Sequence, residues 1–65
     1  MVLNIQFVMD NAAFGETGEE TAAEMNRILN DLAGHFETVD IKNGEHLNIK
    51  DFNGNSIGSM IIVPD

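Results

Sequence analysis

Residues 17–36 read TGEETAAEMNRILNDLAGHF, the only stretch of this chain long enough for a substantial helix. Its apolar residues fall at Ala22, Met25, Leu29, Leu32 and Phe36, flanked by Ile28 and Ala33. Steps of three and four place them on one stripe of a helix with about 3.6 residues per turn. Thr17 and Glu20 make a T-x-x-E capping box, in which hydroxyl and carboxylate serve two amide donors that the first turn leaves open. Glu19 and Glu20 also stand where the helix dipole favours negative charge. Gly34 costs about 1 kcal/mol relative to alanine inside a helix, so it marks either a weakened last turn or a close approach to a sheet. The helix is expected to end near Phe36 or Glu37. Opposite the stripe stand Glu20, Glu24, Arg27 and Asp31, which predicts an exposed acidic face.

The rest of the chain reads as a small sheet to receive that stripe. Residues 1–9 alternate, with Leu3, Ile5 and Phe7 pointing one way and Val2, Asn4, Gln6 and Val8 the other, the signature of a half-buried strand. Asp10-Asn11 breaks the pattern, and Phe14 in the following loop is expected to cover one end of the core. A further short strand is allowed for at 39–42, before the turn signal Asn43-Gly44. Leu47 and Ile49 alternate with His46, Asn48 and Lys50 as another strand. Asp51-Phe52-Asn53-Gly54 has the Asp and Gly of a type I turn, giving a three-residue hairpin loop with a bulge. The return strand runs over 56–63, and Pro64 stops it.

With that loop, Asp51 is expected opposite Asn55 and Ile49 opposite Ile57. Leu3, Ile5, Phe7, Met25, Leu29, Leu32, Phe36, Leu47, Ile49, Ile57 and Ile61 then form the predicted core. Val2, Val8, Met60 and Ile62 are left on the back of the sheet as an apolar patch suited to a homodimer. Strand, helix, strand, strand closes into an all-antiparallel sheet only if the last strand lies between the other two. The fold class expected is therefore α+β, a single domain over 1–65. Three strands in the order 1-3-2 are covered on one face by one helix.

Size and charge narrow the function classes. A 65-residue chain has room for one core, and folding at that size buries only about 60% of the unfolded surface. It has no cysteine, which excludes disulfides and thiolate metal sites and makes oligomerisation the expected source of extra stability. Eleven acidic residues against three basic ones give a formal net charge of −8. Such a chain repels phosphate backbones and anionic lipid and favours basic protein partners. The opening residues are too short and too alternating for a signal peptide, and no apolar run approaches about 18 residues. A cytoplasmic protein is expected, with neither direct nucleic-acid nor membrane binding.

Residues that could carry chemistry are few. The two histidines, His35 and His46, have no third nitrogen ligand and no H-x-x-x-H spacing, so no metal or other cofactor is expected. Asp51, Asn53 and Asn55 imitate the start of a calcium loop. Ser56 stands where that loop needs glycine, however, and Ile62 where it needs glutamate. Ser56 and Ser59 have no histidine placed to activate them, and the domain lacks walls for an enclosing pocket. An enzyme is not expected. The acidic face at Glu20, Glu24 and Asp31 is the candidate partner-binding surface.

Three segments, Met9-Asp10-Asn11-Ala12-Ala13-Phe14, then Arg27-Ile28-Leu29 with Leu32-Ala33, then Asp51-Phe52-Asn53-Gly54-Asn55-Ser56-Ile57-Gly58, occur in an order that resembles a family of small, mostly uncharacterised proteins encoded by bacteriophages and prophages. The likeness spans most of the chain and departs from it over 37–48, which is longer than the family's linker. It implies an accessory protein of the host cytoplasm that acts by protein–protein binding, including inhibition of a basic host nucleic-acid-binding or defence complex. The competing expectation is a structural or oligomerisation module of a phage assembly with no host target.

Overall fold

The computed structural model describes residues 1–37 and 40–65. In chain order these form strand β1 (Val2–Phe7), a 3-10 turn (Ala12–Phe14), helix α1 (Gly18–Phe36), strand β2 (His46–Lys50) and strand β3 (Ser56–Val63). The strands make one sheet in the order β1-β3-β2, with both pairings antiparallel. This is the expected α+β architecture. Of the short strand allowed for at 39–42, Val39 lies outside the described residues, and 40–42 carry no strand. The hydrogen bonding that leads into β2 starts at Gly44 and Glu45, both bonded to Ile62 at 2.9 Å.

The helix begins as its sequence dictates. The Thr17 hydroxyl accepts the Glu20 N–H at 3.1 Å, but it also donates to the Glu20 carboxylate at 3.2 Å. The cap is thus closed side chain to side chain. Gly34 has open space where a Cβ would be, so it is not a point of close approach to the sheet. Phe14 is buried and its ring stacks on Phe7, centroids 6.3 Å apart. It closes one end of the core, as its position between β1 and α1 suggests.

The register of β3 corrects the sequence reading. The hairpin loop is Phe52-Asn53-Gly54, with the Asp51 N–H donating to the Asn55 carbonyl at 3.0 Å and Gly54 at φ +86°. Lys50 then pairs with Ser56, but Ile49 pairs with Gly58 and not with Ile57. One extra residue, Ile57, is accommodated in a bulge. Because side chains alternate with period two, that insertion reverses the face of everything after it. Met60 and Ile62 turn into the core beside Ile49, and Ile61 and Val63 go to the back. The expected apolar back patch of Val2, Val8, Met60 and Ile62 therefore does not exist.

Gly58 explains why the reversed register is the one that fits. It lies opposite Phe7, and a Cβ there would run into the Gln6 carbonyl and the backbone of Phe7. Glycine lets β1 come in close at this point, where any side chain would push it away.

The helix is also rotated relative to the expected stripe. Ile28 and Leu32 are its buried apolar residues, packed with Phe14, Ile49, Met60 and Ile62, while Met25 and Phe36 are only partly buried. Leu29, expected at the centre of the core, is exposed. Leu3 and Ile5 are exposed as well, although they pair with the buried Ile62 and Met60. The helix covers the β3–β2 side of the sheet and leaves the inward side of β1 open at Leu3 and Ile5, while Phe7 packs against the core.

Candidate functional site

The polar residues of greatest structural consequence gather where α1 meets the β2–β3 hairpin. Glu24, expected on the outer face, is only 6% exposed. It lies one turn before Ile28, on the side of the helix facing the sheet. Its carboxylate accepts Arg27 Nε at 2.7 Å and Arg27 Nη2 at 3.0 Å. It also accepts the Phe52 N–H at 3.0 Å, which fastens the helix to the hairpin tip. The Arg27 guanidinium holds the Glu24 carboxyl below its ordinary pKa, against the opposing effect of burial. Arg27 is raised in turn by Glu24. Its Nη1 donates to Asp31 at 2.9 Å and its Nη2 reaches the Lys50 carbonyl at 3.4 Å.

Asp51 is the second buried carboxylate of this junction. Its Oδ1 accepts the Asn53 and Asn55 N–H groups, each at 2.9 Å. Its Oδ2 accepts the side chains of Asn11 at 2.6 Å and Asn55 at 3.2 Å. Burial raises this carboxyl, but the donors from Asn55, Asn11 and Asn53 outweigh it and hold the group below its ordinary range. Asn11 caps the 3-10 turn with its own side-chain oxygen, accepting the Ala13 N–H at 3.0 Å. Of the D-x-N-x-N segment, Asp51 thus spends both carboxylate oxygens on donors from its own turn and from Asn11. No group of three or more metal-ligating side chains occurs among the described residues.

Beside this junction runs an open groove of about 460 Å³ between α1 and β2. Ile28, Leu32, Leu47 and Ile49 line its apolar part, and Arg27, Asp31 and Lys50 its polar part. Phe52, an exposed aromatic at the hairpin tip, stands at one end. Sequence reasoning assigned Phe52 only to a turn. An aromatic in a turn that needs none was the signal available.

The three acidic residues expected to act together are separated in role. Glu20 is exposed and engaged with the Thr17 hydroxyl. Asp31 is exposed but ion-paired with Arg27 at 2.9 Å. Glu24 is buried and structural, so it leaves the candidate surface. Of the expected dimer residues, Val2 and Val8 are exposed, while Met60 and Ile62 belong to the core.

What stays acidic and open is the start of the helix, where Glu16, Glu19 and Glu20 are all exposed. The ion pairs found among the described residues are Met1 amine–Asp65, Arg27–Glu24 and Arg27–Asp31. None of them involves these three glutamates. Among the described residues no helix is long and apolar enough to cross a membrane. No family model, no curated protein and no solved structure matches the chain.

Proposed function

We propose that this chain acts by binding another protein rather than by catalysis, and that the partner surface it fits is basic. The observation that supports this is the set Glu16, Glu19 and Glu20, exposed together with no ion pair among the described residues, in a chain of formal net charge −8. Charge of that kind speeds encounter with a complementary surface and excludes like-charged competitors. The resemblance to phage-encoded accessory proteins supports the same reading and adds a setting. In the host cytoplasm, the chain would inhibit a basic nucleic-acid-binding or defence complex.

The test is capture from host lysate by immobilised protein, compared with the variant Glu16→Lys, Glu19→Lys, which spares the cap at Glu20. The wild type is expected to retain basic proteins at low ionic strength and release them as salt shortens the screening length to about 3–8 Å. The variant is expected to retain none while still melting cooperatively, because exposed charges contribute little to folding. Equal capture by the folded variant would show the acidic surface to be merely solvated.

A second reading, a structural module that associates with itself, is favoured by a different observation. Leu3 and Ile5 of β1, which face the helix side, are left uncovered.

A further inference from the structure

We propose that a second copy of this chain adds to the free edge of β1, so that two three-stranded sheets continue into one of six strands with both helices on the same face. The proposal deepens the self-association reading and is independent of the basic partner. Its starting point is a mismatch between β1 and the strand it pairs with. Leu3 is 47% exposed and Ile5 39%, whereas their partners Ile62 and Met60 are 5% and 1% exposed. All four lie on the helix face, so at Leu3 and Ile5 the core stops one strand short of the sheet edge, although Phe7 still packs against it.

The helix flank above them is of the same character. Successive residues on a helix are about 100° apart, so Arg27 and Leu29 lie on opposite sides of the buried Ile28. Arg27 and Asp31 line the groove against β2, which places Met25, Leu29 and Phe36 on the flank towards β1. That flank carries no charge, and Leu29 on it is 45% exposed. Here is the part of the apolar stripe that the intramolecular core does not use.

The strand edge matches these side chains. Val8 N–H donates to the Ile57 carbonyl at 2.9 Å, which fixes the phase of the β1–β3 ladder. Val2, Asn4 and Gln6 direct their backbone groups to β3, while Leu3, Ile5 and Phe7 direct theirs outward. Residues 1–9 contain no charged side chain and no proline, and β1 has an unbroken register. The other edge, β2, carries Lys50 at its end, and a lysine there is an ordinary protection against edge pairing. Among the described residues, β1 is the edge strand without a charged side chain.

The occupant is a second copy because the edge is complementary to itself. Antiparallel pairing about a two-fold axis at Ile5 sets Ile5 against Ile5 and Leu3 against the second copy's Phe7 on the helix face. On the back it sets Asn4 against Gln6, amide to amide. The shape of the monomer agrees. Its radius of gyration is 12.7 Å and its extents 37 × 20 × 19 Å, against about 11 Å for a compact chain of this length. Two copies would place their β3 strands about 14 Å apart, with the two apolar helix flanks facing each other across the joined strands.

The test uses the absence of cysteine from the chain. Analytical ultracentrifugation is expected to give twice the 7.1 kDa protomer mass for the wild type. Ile5→Lys is expected to weaken association about thirtyfold or more. Ile5→Cys brings two thiols together at a Cα separation near 5.5 Å, within disulfide range. It is expected to cross-link on air oxidation, whereas Phe52→Cys, on the far side of the helix, is not. The cross-linking arm stands even if Ile5→Lys fails to fold. A wild-type monomer at about 100 μM overturns both this surface and the self-association reading. A wild-type dimer in which Ile5→Cys stays uncross-linked overturns only the β1 edge.

Discussion

Single residues settle matters here that segments leave open, and Gly58 is the clearest. A Cβ at this position would overlap the Gln6 carbonyl and sit 2.5 Å from the Phe7 Cα, so β1 and β3 pair at their observed spacing only around glycine. Gly58→Ala is expected to cost about 1–3 kcal/mol, read as a lower urea midpoint with an unchanged slope. Glu24 is a second such residue. It joins Arg27 to the Phe52 N–H, and Glu24→Ala is expected to lower the melting temperature well beyond the small loss that Glu19→Ala causes at the helix N-terminus. Glu24 and Asp51 both have folded-state pKa values below their ordinary ones. Such groups stabilise the fold above their unfolded pKa, about 4, and the contribution is lost as pH falls through the folded value. Stability should therefore be level from about pH 5 to 7 and fall below about pH 4. Glu24→Gln should flatten that fall. A profile that Glu24→Gln leaves unchanged would show that Glu24 is not one of the groups responsible.

At the scale of elements, the helix and the hairpin each answer to a small shift of phase. The helix presents Ile28 and Leu32 to the sheet. Ile28→Ala is thus expected to cost about 2–5 kcal/mol, enough to unfold much of a domain this small. Leu29→Ala should cost far less in the monomer, and its effect should grow with protein concentration if β1 and its flank form the dimer contact. Gly34 meets nothing within 4 Å of a built Cβ. Gly34→Ala is therefore expected to stabilise by up to about 1 kcal/mol, measured by thermal melting. In the hairpin, the single extra residue at Ile57 decides which half of β3 is core. Where the helix meets the hairpin, Asn11 bonds Asp51, and Glu24 and Arg27 hold the loop at Phe52 and Lys50, a clasp between the pre-helix turn, the helix and the hairpin.

For the whole molecule, the features legible in the sequence were those that local rules dictate. Period two over 1–9, period 3.6 over 17–36, the T-x-x-E cap and the Asp-x-Asn-Gly turn each fix a local conformation. Chain connectivity then leaves β1-β3-β2 as the one antiparallel order. Composition set the charge of −8 and the absence of disulfides. Tertiary structure decided the rest, because the competing local choices were close in energy. Ile57, Ile61 and Val63 on one side, and Met60 and Ile62 on the other, are comparably apolar, so hydrophobicity does not choose between the two faces of β3. The choice was made by a bulge at Ile57 and by the approach of β1 at Gly58, contacts that exist only once three strands are assembled. The helix stripe is likewise wider than one strand pair covers. Docking on Met60, Ile62 and Ile49 selected Ile28 and Leu32, drew Glu24 inward to the hairpin amide, and left Leu29 outside. A sequence states which residues are apolar, whereas burial depends on how far a neighbouring element reaches, and here α1 leaves Leu3 and Ile5 of β1 uncovered.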